Sequence, residues 1–155
     1  MLYCIPMKDI ILRQALETSA VQKLASAVEV ELKGMVFRRF KDHVEATPEL
    51  RKLADDVGEK DERLRQFADF LVRGRPFSLG QMTHVLKNCQ NYQDPLFVEF
   101  NSWVQREVPC ALGLVARLSE IGKTRNAVSH GRQVTVDPEG FTRLCREVLE
   151  QLAQP

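Results

Sequence analysis

Apolar positions recur at helical spacing along almost the whole chain. Ile11, Ala15, Val21, Leu24, Ala25, Val28, Leu32, Met35, Val36 and Phe40 follow one another mostly three or four apart, with one slip at Thr18 and Ser19. That spacing gathers them on one helical face and predicts a long amphipathic helix from Lys8 to His43. Gly34 weakens it locally without ending it. Arg38, Arg39 and Lys41 crowd its last turns, where cations favour the negative end of the helix dipole.

Start and stop signals divide the rest. Thr47-Pro48-Glu49 reads as cap, proline at the first helical position, then an acid, opening a short helix that Gly58 stops. The mixed charges of Glu59 to Arg63 read as a solvated helix start. Leu64, Phe67, Ala68, Leu71 and Val72 supply its apolar stripe, and Arg73-Gly74-Arg75-Pro76 ends it. Ser78 with Gln81 has capping-box spacing, and Met82, Val85, Leu86 and Cys89 line the helix that follows. Asp94-Pro95 opens another, with Leu96, Phe97, Phe100, Trp103 and Val104 inward, until Pro109 kinks or breaks it. Leu112, Val115, Leu118 and Ile121 continue beyond, and Gly122 is expected to close that segment. Arg132 to Val136 alternates as a brief extended piece, but one such piece makes no sheet. Asp137-Pro138-Glu139 repeats the start signal before a last helix with Phe141, Leu144, Cys145, Val148, Leu149 and Leu152 on one face. The expected fold is all-α, a compact bundle of about five or six helices forming a single domain over residues 1–155.

Composition narrows the function. The 155 residues are 44% hydrophobic and 28% charged, which suits a globular domain with a real core. A net charge of +1 gives the whole chain no nucleic-acid signature, so any RNA contact needs a local patch. Cys4, Cys89, Cys110 and Cys145 lie too far apart for a zinc or redox motif and read as free thiols of a reducing cytoplasm. His43, His84 and His130 lack metal-ligand spacing, and no phosphate loop occurs. Neither a metal nor a cofactor is implied. No apolar run reaches the roughly 20 residues of a membrane helix. Met1 to Met7 is not a signal peptide, because Lys8 and Asp9 follow at once. Its abrupt entry into a helical pattern reads as the cut edge of a longer chain.

Candidate chemistry concentrates in Arg125-Asn126-Ala127-Val128-Ser129-His130. Arg125 is a permanent cation that can fork two hydrogen bonds onto phosphate oxygens. His130 can give or take a proton near pH 7. Thr124 is expected to cap a new helical turn, leaving free N–H groups that help hold an anion. Asn126 and His130, four apart, share a face. Arg125 and His130, five apart, diverge on an unbroken helix. To meet at one phosphate they need a distorted turn or a second copy of the chain. On composition and spacing alone, a plain helix junction with a surface Arg125 and a turn-ending His130 is the preferred reading. Arg73, Arg75, Lys123, Arg125, Arg132, Arg143 and Arg146 form a basic rim only if the fold gathers them.

The six-residue segment resembles the R-x4-H signature of the HEPN superfamily, in which a polar residue often follows the arginine, as Asn126 does here. Phe77 to Met82 looks like the Leu-Gly-Gln helix start of many bacterial members, and the long first helix with Val30-Glu31-Leu32 fits the same architecture. The resemblance implies a metal-independent endoribonuclease of a toxin–antitoxin or antiviral defence system. It implies a homodimer in which two motifs meet across a cleft, with RNA as substrate and an antitoxin or attached effector domain as partner. Arg125 would neutralise the scissile phosphate, His130 would act as general base or acid, and Asn126 would orient His130 or the phosphate. Some toxin members carry a tyrosine two residues after the histidine. Here that position is Arg132, so regulation through that tyrosine is not implied. Many members are inactive, which leaves a non-catalytic nucleic-acid-binding or dimerisation module of a larger protein as the alternative.

Overall fold

A computed structural model describes residues 7–58, 61–131 and 137–154. Among them the chain is helical and strand-free, with nine α-helical segments, so the all-α expectation holds while the helix count is higher. The extended piece expected at Arg132 to Val136 and the first residues up to Pro6 lie outside the described residues, as does Cys4.

The first rod is α1 (Met7–Leu32), a π turn (Lys33–Phe37) and α2 (Arg38–Ala46). It spans nearly the range that its sequence pattern predicts. The π turn has a geometric cause. Val28, Leu32, Val36, Phe40 and Val44 are all buried and each is four residues from the last. Four-residue steps drift by about 40° each on a regular α-helix, or about 160° over the run. The wider turn absorbs an extra residue and takes back about 100° of that drift. The Arg38 N–H donates to the Lys33 carbonyl across it. Gly34 sits inside this turn, so the local weakness read from it falls at the change of register.

The rod joins two halves of one core. The second half of α1 packs against α8 (Val115–Ser129) and α9 (Pro138–Ala153), whereas α2 packs against α3 (Pro48–Asp55) and α4 (Glu62–Arg73). α5 (Leu79–Asn88) bridges α4 and α8. α6 (Pro95–Glu107) lies on α3, and the single turn α7 (Cys110–Gly113) leads into α8. The α2 half holds the aromatic cluster. The Phe67 ring lies 5.1–6.0 Å from those of Phe37, Phe40, Phe77, Phe97 and Phe100.

Local signals set most boundaries. Asp61 Oδ1 accepts from the Arg63 and Leu64 N–H groups at the start of α4. Ser78 and Gln81 complete the reciprocal capping box of α5, at 3.3 and 2.8 Å. Asp94 Oδ1 accepts from the Leu96 N–H at 2.9 Å, and Pro95 is the first residue of α6. Pro109 breaks the chain between α6 and α7. The first turns of α1 depart from expectation. Ile11 and Ala15 carry the helical period but are exposed, because no other described element reaches that end of the helix.

Cys89 and Cys145 are buried on their helical stripes, and burial pushes each thiol up to about 11. A thiol raised in the folded state favours folding while it stays protonated. That advantage is complete below the unfolded value near 9 and is lost as pH rises through 11. Stability is therefore expected to fall between pH 9 and 11, by roughly 1–3 kcal/mol for each thiol. Urea melts of the wild type against Cys89→Ser and Cys145→Ser would show the slope shrinking in each variant.

Candidate functional site

The segment Arg125 to His130 forms the last turn of α8. This helix runs unbroken through Gly122 and Thr124, so Gly122 does not close it and Thr124 does not cap a new one. Thr124 Oγ1 donates back to the Glu120 carbonyl at 3.0 Å, a bond of helix interiors. The anion-holding N–H groups expected near Thr124 are therefore spent in the helix. The reason is tertiary. Leu114, Leu118 and Ile121 are fully buried, and Arg125 and Val128 extend their stripe. That burial outweighs the roughly 1 kcal/mol cost of an interior glycine.

His130 terminates the helix. Its N–H donates to the Asn126 carbonyl at 3.0 Å, and the Gly131 N–H donates to the Val128 carbonyl at 3.2 Å. Gly131 holds a φ of 63°, the left-handed conformation that often closes a helix and that glycine adopts without a Cβ penalty. His130 and Asn126 are both exposed and share a face, as their spacing predicts, and Lys123 continues that face one turn earlier. No side-chain hydrogen bond joins Asn126 to His130.

Arg125 points elsewhere, about 140° around the helix from His130. Its Nη1 donates to Glu29 Oε2 on α1 at 2.6 Å, with the two side chains 22% and 24% exposed. The turn is not distorted, so one copy of the chain does not aim Arg125 and His130 at one phosphate. Of the two routes the spacing allows, only a second copy remains for an undistorted helix.

Glu29 is the site residue that the sequence pattern did not single out. It lies 96 residues from Arg125, and its sole sequence signal is a carboxylate beside the buried stripe of Val28 and Leu32. Removing it leaves a guanidinium at the edge of the core without its counter-charge. Exposed pairs contribute about 0–1 kcal/mol, and breaking a buried pair costs about 3–5 kcal/mol. For this intermediate case, Glu29→Gln is expected to cost about 1–2 kcal/mol in a urea melt. The loss should shrink at high salt.

The other candidates separate. Arg73 pairs with Asp69 at 3.2 Å. Arg143 and Arg146 line a shallow hollow of about 350 Å³ at the start of α9, with Pro138, Glu139 and Thr142. Arg132 lies outside the described residues. His84 is half-buried on α5, and the Asn88 amide bonds to its carbonyl at 2.9 Å. Burial and then the nearby Arg63 charge lower its pKa, which favours the neutral ring. His43 sits in the last turn of α2 with its ring 6.2 Å from Phe40.

Among the described residues no group of three or more His, Cys, Asp or Glu side chains is placed to hold a metal ion. No helix among them is long and apolar enough to cross a membrane. Compared with known proteins, the chain matches no family model, no curated protein and no solved structure.

Proposed function

We propose that this protein is a metal-independent endoribonuclease of the HEPN type, acting on RNA in the cytoplasm as the effector of a toxin or antiviral defence system. The observation that carries this reading is the last turn of α8. It holds an arginine in place through Glu29 and leaves Asn126 and His130 exposed on the adjoining face. A phosphodiester needs both kinds of group, a fixed cation for the phosphate and a proton carrier free to meet the ribose.

The site lies at an interface between two copies. Arg125 of one binds and neutralises the scissile phosphate, while His130 of the other removes the proton from the 2′-hydroxyl. The 2′-oxygen attacks phosphorus, the P–O5′ bond breaks, and the leaving 5′-oxygen takes up the proton that His130 has collected, relayed through solvent. The products are a 2′,3′-cyclic phosphate and a 5′-hydroxyl. Asn126, beside His130, orients the imidazole or a phosphate oxygen. An antitoxin or attached domain would restrain the enzyme by covering this turn.

The Glu29 contact also favours a second reading, because it already satisfies part of the Arg125 charge. In that reading the domain is a non-catalytic nucleic-acid-binding or dimerisation module of a larger protein. Cleavage of single-stranded and total RNA in EDTA separates the two. The enzyme reading expects cyclic-phosphate ends from the wild type and none from Arg125→Ala or His130→Ala. The module expects no turnover in any of them, with RNA affinity that falls as salt rises. Cleavage that survives both substitutions would refute the proposed site.

A further inference from the structure

We infer that the outer face of α1 is a docking surface for a second copy of this chain, in antiparallel register. Large apolar side chains exposed among the described residues are Ile10, Ile11, Leu12, Leu16, Val30 and Val98, and all but the last are on α1. Leu12, Leu16 and Val30 are 61%, 63% and 69% exposed. The buried stripe of α1 begins only at Val21, so its first turns extend past the bundle with no other described residue packed on them. A cluster such as Ile10, Ile11, Leu12 and Leu16 marks an interaction site more often than scattered exposure does, and Val30 lies apart from it, about 27 Å along the helix from Leu12.

The register follows from the spacing. Leu12, Leu16, Ser19, Lys23, Ser26 and Val30 alternate four and three apart, which keeps them on one stripe of the helix. Leu12 and Val30 are eighteen residues apart, or about five full turns and 27 Å, so they share one direction. In a two-fold antiparallel pair centred level with Val21, Leu12 of one copy meets Val30 of the other at both ends. Leu16 meets Ser26, and Lys23 meets Ser19. Charges agree as well. Asp9 comes level with Lys33 of the second copy, and Arg13 comes within one turn of Glu31. A parallel pair would instead place Lys23 against Lys23. The self-complementary pattern therefore selects both the occupant and its direction.

A single helix pair is at the small end of specific interfaces, about 1,200 Å² or less, the size of weak or transient contacts. This contact is separate from the α8 face. His130 points away from the side of α8 that packs on α1, and the inference stands or falls without the ribonuclease reading.

Cross-linking tests it, in a full-length chain with Cys4 and Cys110 replaced by serine. The paired variant Leu12→Cys with Val30→Cys should give a covalent dimer on oxidation, because each cysteine meets the other type across the two-fold. Either single variant should stay monomeric on the gel, since like positions are about 27 Å apart or more. Eighteen residues along one helix prevent an internal bridge in the paired variant. Adding Leu16→Asp to the paired variant should lower the yield of this cross-link at least tenfold, with helicity unchanged. Absence of the covalent dimer from the paired variant, cross-linking of Leu12→Cys alone, or a yield unaffected by Leu16→Asp would overturn the proposal. Loss of RNA cleavage with the cross-link intact would count only against the ribonuclease.

Discussion

Replacing His130 with alanine is expected to lower RNA cleavage about 10²–10⁴-fold, the range a single positioned proton carrier supplies. The substitution should leave the fold intact. His130 is exposed, and it closes α8 through its backbone N–H, which alanine retains. Its folded-state control is the unfolding transition, which should coincide with that of the wild type. A rate measured under single-turnover conditions, with EDTA present, reports the chemical step directly. A loss below about threefold would remove His130 from the reaction, since a positioned proton carrier contributes far more. Arg125→Ala provides a different signature, because Arg125 is tied to the core through Glu29. It should lose both cleavage and some stability, whereas His130→Ala should lose cleavage alone.

The largest effect on stability is expected at Phe67. Its side chain is fully buried, and its ring stacks or meets edge-on with those of Phe37, Phe40, Phe77, Phe97 and Phe100. These five rings come from the π turn, α2, the segment before α5, and α6, and Phe67 brings α4 to meet them. Phe67→Ala therefore opens a cavity at the point where they converge, and a rigid ring cluster relaxes little to fill it. A cost of about 3–5 kcal/mol is expected. For a domain whose whole stability is about 5–15 kcal/mol, that lowers the melting temperature by roughly 10 °C or more. Val98→Ala, at an exposed position on the neighbouring helix, should change it by about 0.5 kcal/mol or less. Similar losses for the two variants would show that the aromatic cluster is not the keystone of this half of the core.

Much of the fold is legible in the sequence because its boundaries are made locally. Ser78 with Gln81, Asp94 with Pro95, and Gly74 after α4 each act through a bond or a dihedral within a few residues. Expectation and structure part where distant packing overrides a local signal. Gly122-Lys123-Thr124 resembles a stop followed by a start, yet the stripe through Leu118 and Ile121 carries the helix through it. Ile11 and Ala15 repeat the period of a buried stripe, but a period says nothing about whether another element arrives to cover it. The same holds at the candidate site. The neighbourhood of Asn126 and His130 can be read from their spacing. The Glu29 partner of Arg125 cannot, because the chain must fold before α1 and α8 meet.

The π turn at Lys33–Phe37 fixes how this architecture can lengthen or shorten. It works like a vernier between the two ends of one rod. The α1 end is set by α8 and α9, and the α2 end by α3 and α4. Loss of one residue from the turn would restore a regular helix and swing Phe40 and Val44 about 100° away from their seats. Insertions and deletions in this rod are therefore disfavoured from Val21 to Val44, where the helices packed on either side of the turn hold the phase.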